Sequence, residues 1–167
     1  MTLRASWSLP NLITLSRILL LPLFMYLLFS LEFNYAAVLF IFLAFTDALD
    51  GYLARKLNQV SDFGKFWDPL ADKILVTSAL IGLIEVRALS ALPVIIIIGR
   101  DLLVDALRLT EASKGKIISA SYLGKVKTVS QMAAILFLIL NWPYATWIFY
   151  FAVAMTLISG VEYFARK

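Results

Sequence analysis

Six long apolar stretches joined by short polar connectors constrain this chain more than any other feature of it. They cover residues 15–31, 35–56, 66–84, 89–112, 122–140 and 144–164, with the short connectors EFN, LNQVSDFG, EVRA, SKGKIISA and NWP lying between them. Crossing a hydrocarbon layer of roughly 30 Å takes about 20 helical residues, and each stretch reaches that length with modest help from its flanks. Because 62% of the residues are hydrophobic and only 16% charged, the chain has more apolar surface than one water-soluble core could hide. The expectation is an all-α, polytopic integral membrane protein with six transmembrane helices, forming one domain over residues 1–167. The opening MTLRASWSLPNLITLSRILLLPLF has a basic residue before an apolar run, but no small-x-small site follows. It reads as a retained first helix preceded by an interfacial segment.

Composition also narrows the chemistry. The chain has no cysteine and no histidine, which excludes thiolate nucleophiles, Ser-His-Asp triads and histidine or thiolate metal sites. Carboxylates, cations, hydroxyls, backbone groups and a bound ion remain. If the six stretches all span, both termini lie on one side, and that side collects every Lys and Arg except Arg87. The positive-inside rule then puts both termini and the charged helix ends in the cytoplasm, with the protein in the cell membrane. The net charge of +4 is accordingly a membrane signature and does not indicate nucleic-acid binding. Trp7, Trp67, Trp142 and Trp147 fall near the ends of the stretches, where indoles anchor at the lipid interface.

Charge placed behind an apolar run, as in FTDALDGYLARK at residues 45–56, needs a reason. Asp47 and Asp50 are three apart, Gly51 is four from Asp47 and Arg55 four from Gly51, so they form one stripe on a helix. In GKFWDPLADK, Gly64, Asp68 and Asp72 are each four apart and form a second. The connector is short, so the two helices are expected to be antiparallel neighbours with facing acidic stripes. Four acids turned to lipid would cost about 10 kcal/mol even on a lenient insertion scale. Turned to one another they repel unless cations lie between them, and oxygen-only donors suit hard ions such as Mg²⁺ or Mn²⁺. Taken alone, the acidic pairs leave an ion-coupled transporter and a metal-dependent enzyme both open. A glycine on such a helix serves helix packing as readily as ligand access, and Arg55 and Lys56 could simply snorkel at a helix end.

The complete pattern over residues 47–72, D-A-L-D-G-Y-L-A-R, eight residues, then G-K-F-W-D-P-L-A-D, resembles the signature of the CDP-alcohol phosphatidyltransferases, D-x-x-D-G-x-x-A-R-x8-G-x3-D-x3-D. Every fixed position is present. PNLITLSR, DPLADKILV and GRDLLVDALR…SASYLGKVKT extend the similarity along most of the chain, toward bacterial members that use glycerol 3-phosphate. GRD at residues 99–101 departs from an expected A-R-E while keeping its charges. The resemblance implies a six-helix membrane fold, a homodimer, and CDP-diacylglycerol as donor. It implies that Asp47, Asp50, Asp68 and Asp72 hold two divalent cations against the pyrophosphate, with Asp72 also the base. Gly51, Ala54, Arg55 and Ser61 would contact nucleotide and phosphates, Gly64 would give room, and Asn11 and Thr14 would close over the cytidine.

A primary alcohol attacks poorly unless its proton is removed during attack, which a carboxylate can do without any histidine. Glycerol 3-phosphate is dianionic, and its phosphate calls for cations. Arg100 and Arg108 lie eight apart, about two helical turns, and Lys125 opens the fifth stretch from the same side. These three are the expected acceptor-phosphate ligands, Arg108 by a bidentate contact; the alternative is that some of them pair with Asp101, Asp105 or Glu111. The alternatives are cardiolipin synthesis with phosphatidylglycerol as acceptor, a small ion-coupled transporter, and a prenyltransferase releasing pyrophosphate.

Overall fold

The computed structural model describes residues 9–56, 62–115 and 121–165, with side chains described for 15–46, 70–115 and 121–165. Helices α1 (Leu9–Phe29), α2 (Phe33–Lys56), α3 (Asp62–Glu85), α4 (Ala91–Ser113), α5 (Tyr122–Ile139) and α6 (Ala145–Ala165) follow one another, with no strand among the described residues. The chain divides into two compact units, Met1–Val86 and Arg87–Lys167.

In the first unit α1 packs on both α2 and α3. Its core is built at helical spacing: Phe24 and Leu28 from α1, Ala36, Phe40 and Leu43 from α2, Leu75, Ala79 and Leu83 from α3. The rings of Phe24 and Phe40 meet at 5.9 Å between centroids. Gly82 sets the approach of α3 to α1, because a Cβ there would fall 2.6 Å from Leu28 Cδ2 and 3.2 Å from Met25 Cε. Gly82→Val is therefore expected to destabilise the protein by about 1–3 kcal/mol through overpacking, read as a lowered thermal unfolding midpoint in detergent. Gly82→Ala should cost less, since the end of the Leu28 side chain can swing away.

Helix α1 begins earlier than its hydropathy suggests. Pro10 sits in the first turn, where its missing N–H has no intrahelical acceptor to lose, so Asn11 and Thr14, expected in an interfacial segment, are already part of the helix. Pro22 lies inside the same helix, which continues past it to Phe29. There Leu31 takes a left-handed conformation (φ 61°), with the Glu32 N–H donating to the Leu27 carbonyl and the Leu31 N–H to Leu28. This paired arrangement ends a helix by satisfying its last carbonyls. Asn141 (φ 51°) ends α5 in the same way, with Trp142 N–H bonded to Phe137 and Asn141 N–H to Leu138.

In the second unit α6 packs on both α4 and α5. Val94, Ile97 and Val104 from α4, Ala134, Ile135 and Leu138 from α5, and Phe149, Ala152 and Val153 from α6 are buried. A polar pair lies within this core: buried Gln131 donates from Nε2 to Thr156 Oγ1 (3.1 Å), whose hydroxyl donates to the Ala152 carbonyl (2.6 Å). That pairing satisfies groups that would be costly to bury alone.

Every helix turns large apolar side chains outward, among them Leu19, Val38, Ile81, Ile95, Val129 and Trp147. So much exposed apolar surface is foreign to a water-soluble protein and natural for one surrounded by lipid. Among the described residues, α5 and α6 are long and apolar enough to cross a membrane, while Leu15–Phe29 and Phe33–Thr46 are shorter apolar helical runs. The C-terminal turns of α2, the N-terminal turns of α3 and the second half of α4 carry the acidic and basic residues that interest the chemistry.

Candidate functional site

The acidic pattern falls on continuous helix. α2 runs unbroken through Asp47, Asp50, Gly51, Ala54 and Arg55, and α3 through Gly64, Asp68 and Asp72. Both belong to the first unit and α2 packs against α3. The side chains of these residues other than Asp72 lie outside the described residues, as do those of Asn11 and Thr14 and the whole of Ser61. Asp72 is half-buried between buried Ala71 and Leu75, with its Oδ1 withdrawn from solvent. Among the described residues no three His, Cys, Asp or Glu side chains gather to hold a metal. The donor set nevertheless fits a hard divalent ion. It offers only carboxylate oxygens, and a carboxylate with a buried oxygen gains from a nearby cation. Arg17 of α1 is fully buried in the same unit, a position its sequence neighbourhood did not mark out.

The second unit holds a charged cluster whose side chains are all described. Arg100, on α4, points Nη1 at Asp101 Oδ1 (3.1 Å) and donates from Nη2 to Ser159 Oγ (2.8 Å) on α6. Its aliphatic stem lies against Gly160, where a Cβ would fall 3.1 Å from Cγ and 3.3 Å from Nε. Arg108, two turns along α4, donates from Nη2 to the phenol oxygen of Tyr163 on α6. Both guanidiniums lie over the Tyr163 ring, at 5.7 Å for Arg100 and 4.9 Å for Arg108. The Nε of each arginine is buried and has no hydrogen-bond acceptor among the described residues. Buried donors in that condition mark where a ligand can supply acceptors.

Asp101 also accepts from Lys127 Nζ of α5, with Oδ1 (2.6 Å) and Oδ2 (2.5 Å). Lys127 is buried, whereas Lys125 is exposed. Two residues correspond to about 200° around a helix, so these lysines lie on nearly opposite sides of α5. Arg100 and Arg108 thus converge on one ring as their spacing suggested. The buried cation of α5 is Lys127, not Lys125. Asp105 of α4 and Glu162 of α6 are half-buried on the same two helices, and Glu111 pairs with Lys114 (2.9 Å) at the end of α4.

Asp101 was an expected partner for these cations and does pair with Arg100, whereas sequence reasoning missed Lys127, Ser159 and Tyr163 as members of this cluster. A lysine within an apolar stretch was an available signal. Tyr163 carried none, because a tyrosine near a span end reads as an interfacial anchor.

The family model for CDP-alcohol phosphatidyltransferase matches residues 7–158. Relatives described as CDP-diacylglycerol–glycerol-3-phosphate 3-phosphatidyltransferase are similar along nearly the whole chain. The protein of Bacillus subtilis (strain 168) is 41% identical over 96% of this chain and 95% of its own length. That of Pseudomonas fluorescens is 41% identical over 92% and 83%, and that of Rickettsia felis 36% identical over 97% and 96%. With its acidic signature intact on α2 and α3 and a match through most of both units, the chain belongs to the CDP-alcohol phosphatidyltransferase family.

Proposed function

We propose that this protein transfers the phosphatidyl group of CDP-diacylglycerol to glycerol 3-phosphate, forming phosphatidylglycerophosphate and releasing CMP. The observation that carries the reading is the complete acidic signature on two helices of one unit, in a chain similar end to end to relatives described by that activity. Asp47, Asp50, Asp68 and Asp72 are the residues that would hold two divalent cations, Mg²⁺ or Mn²⁺; when bound, these would offset charge on the pyrophosphate and on departing CMP.

Asp72 acts as the base. It takes the proton of the acceptor's primary hydroxyl as that oxygen bonds to the lipid-side phosphorus, and the bond from phosphorus to the CMP oxygen breaks. Its half-buried position in the polar half of α3 supports the role, since the carboxylate stays within reach of an approaching hydroxyl. Gly51, Ala54, Arg55, Ser61 and Gly64 accommodate the nucleotide and phosphates, and Asn11 and Thr14, early in α1, close over cytidine. Arg100, Arg108 and Lys125 bind the acceptor phosphate. The buried Nε groups of the two arginines, without an acceptor among the described residues, support the assignment of Arg100 and Arg108.

The protein is read as six spans in the plasma membrane, one functional domain with both termini in the cytoplasm. The six apolar helices, the family match through both units and the one-sided distribution of cations support this. Family resemblance supports a homodimer.

Purified protein supplied with CDP-diacylglycerol and Mg²⁺ is expected to release CMP with glycerol 3-phosphate and not with phosphatidylglycerol, serine or inositol. CMP release with phosphatidylglycerol alone would move the assignment to cardiolipin synthesis. Ion flux across sealed vesicles without any CMP would replace the enzyme by a transporter.

A further inference from the structure

We infer that Tyr163 is a positioning residue for the acceptor phosphate, orienting all three proposed ligands of that phosphate from a helix that supplies none of them. The inference rests on the glycerol 3-phosphate reading above. Tyr163 lies beyond residues 7–158, over which the family model matches, and its role comes from geometry. It is buried near the end of α6. Its phenol oxygen accepts from two separate elements: Arg108 Nη2 of α4 and the backbone N–H of Ser121 (3.1 Å), the residue capping α5.

Each contact restrains a different ligand. The bond to the phenol fixes the rotation of the Arg108 fork, and the ring beneath it, 4.9 Å away, fixes its height. A guanidinium has five N–H donors; Nη2 turns to Tyr163 while the buried Nε–H has no acceptor among the described residues. Bidentate capture of a phosphate depends on the plane of that fork, so the side chain setting the plane sets the affinity. Arg100 leans over the same ring at 5.7 Å. Ser121, held by its amide, caps α5 by accepting from the Gly124 N–H (2.9 Å), which anchors the first turn carrying Lys125. Aromatic rings have few rotatable bonds, so one buried tyrosine can hold this arrangement at small entropic cost.

Tyr163→Phe removes the acceptor oxygen and keeps the ring. The expected result is a rise of about tenfold in KM for glycerol 3-phosphate, the scale of one hydrogen bond to a charged group. The kcat at saturation and the KM for CDP-diacylglycerol should stay within about twofold of wild type, a split that general loosening of the fold would not produce. In an Arg108→Ala background most of that rise should vanish, because the two changes act through one guanidinium. An unchanged acceptor KM in Y163F, an equal rise in the CDP-diacylglycerol KM, or a full rise persisting without Arg108 would each overturn the inference. Should Y163F accumulate poorly, Arg108→Lys tests the contact from its other end. It keeps the charge but has no fork to span phenol and phosphate, so it should show the same selective rise, and a wild-type KM would again overturn the inference. Wild-type protein in the same assay separates the two levels. Failure of wild type to use glycerol 3-phosphate removes both readings, whereas normal wild-type turnover with an unaltered Y163F removes only this one.

Discussion

Asp72→Asn is expected to leave a folded protein that releases CMP about a thousandfold more slowly at saturating CDP-diacylglycerol. The side chains are nearly equal in volume, so the packing of α3 around Ala71 and Leu75 is kept. What is lost is the ability to accept a proton, and positioned proton transfer contributes about 10²–10⁴-fold in rate. A neutral amide is also a poorer partner for the divalent ions assigned to this acidic set, which enlarges the deficit. Single-turnover CMP release with saturating glycerol 3-phosphate measures the chemical step apart from lipid binding. A variant retaining more than about a tenth of the wild-type rate would remove Asp72 as the base. Wild-type unfolding behaviour in detergent would show that the loss is chemical.

The second large effect concerns stability. Asp101→Ala should lower the unfolding free energy by about 3–5 kcal/mol, because it leaves the Lys127 ammonium buried without the carboxylate that now meets it through both oxygens. For a chain of this size that corresponds to a fall of roughly 10 °C in the thermal midpoint. Lys127→Met should cost less, since Asp101 retains Arg100 at 3.1 Å and is partly exposed to solvent. Combining the two changes should restore much of the stability lost in D101A, the non-additivity expected of a contacting pair. Unfolding midpoints of the three variants in one detergent check this, and simple additivity would show that the pair does not act as a unit.

Much of the architecture was legible before any coordinates. The apolar stretch at residues 35–56 became α2 (Phe33–Lys56) and that at residues 122–140 became α5 (Tyr122–Ile139), because hydropathy accumulates over consecutive residues and needs no knowledge of neighbours. The first helix differed: its apolar stretch starts at residue 15, yet proline is harmless in a first turn and the helix starts at Leu9. Spacing placed Asp68 and Asp72 one turn apart, and α3 carries them so. The metal site they are proposed to complete rests on that backbone placement, on the donor chemistry and on family membership.

The sequence by itself determined the helices, the apolar composition and the acidic pattern on α2 and α3, all of which are set by residue type and short-range spacing. Only the tertiary structure decided which charges meet. Lys127 reaches Asp101 across 26 residues and Arg108 reaches Tyr163 across 55, and such meetings depend on how each helix is rotated about its own axis. At about 100° per residue, a shift of two positions separates an exposed Lys125 from a buried Lys127. That rotation is set by the packing of α6 against α4 and α5, where the buried ring of Tyr163 and the absent side chain of Gly160 leave the arginines the room they take.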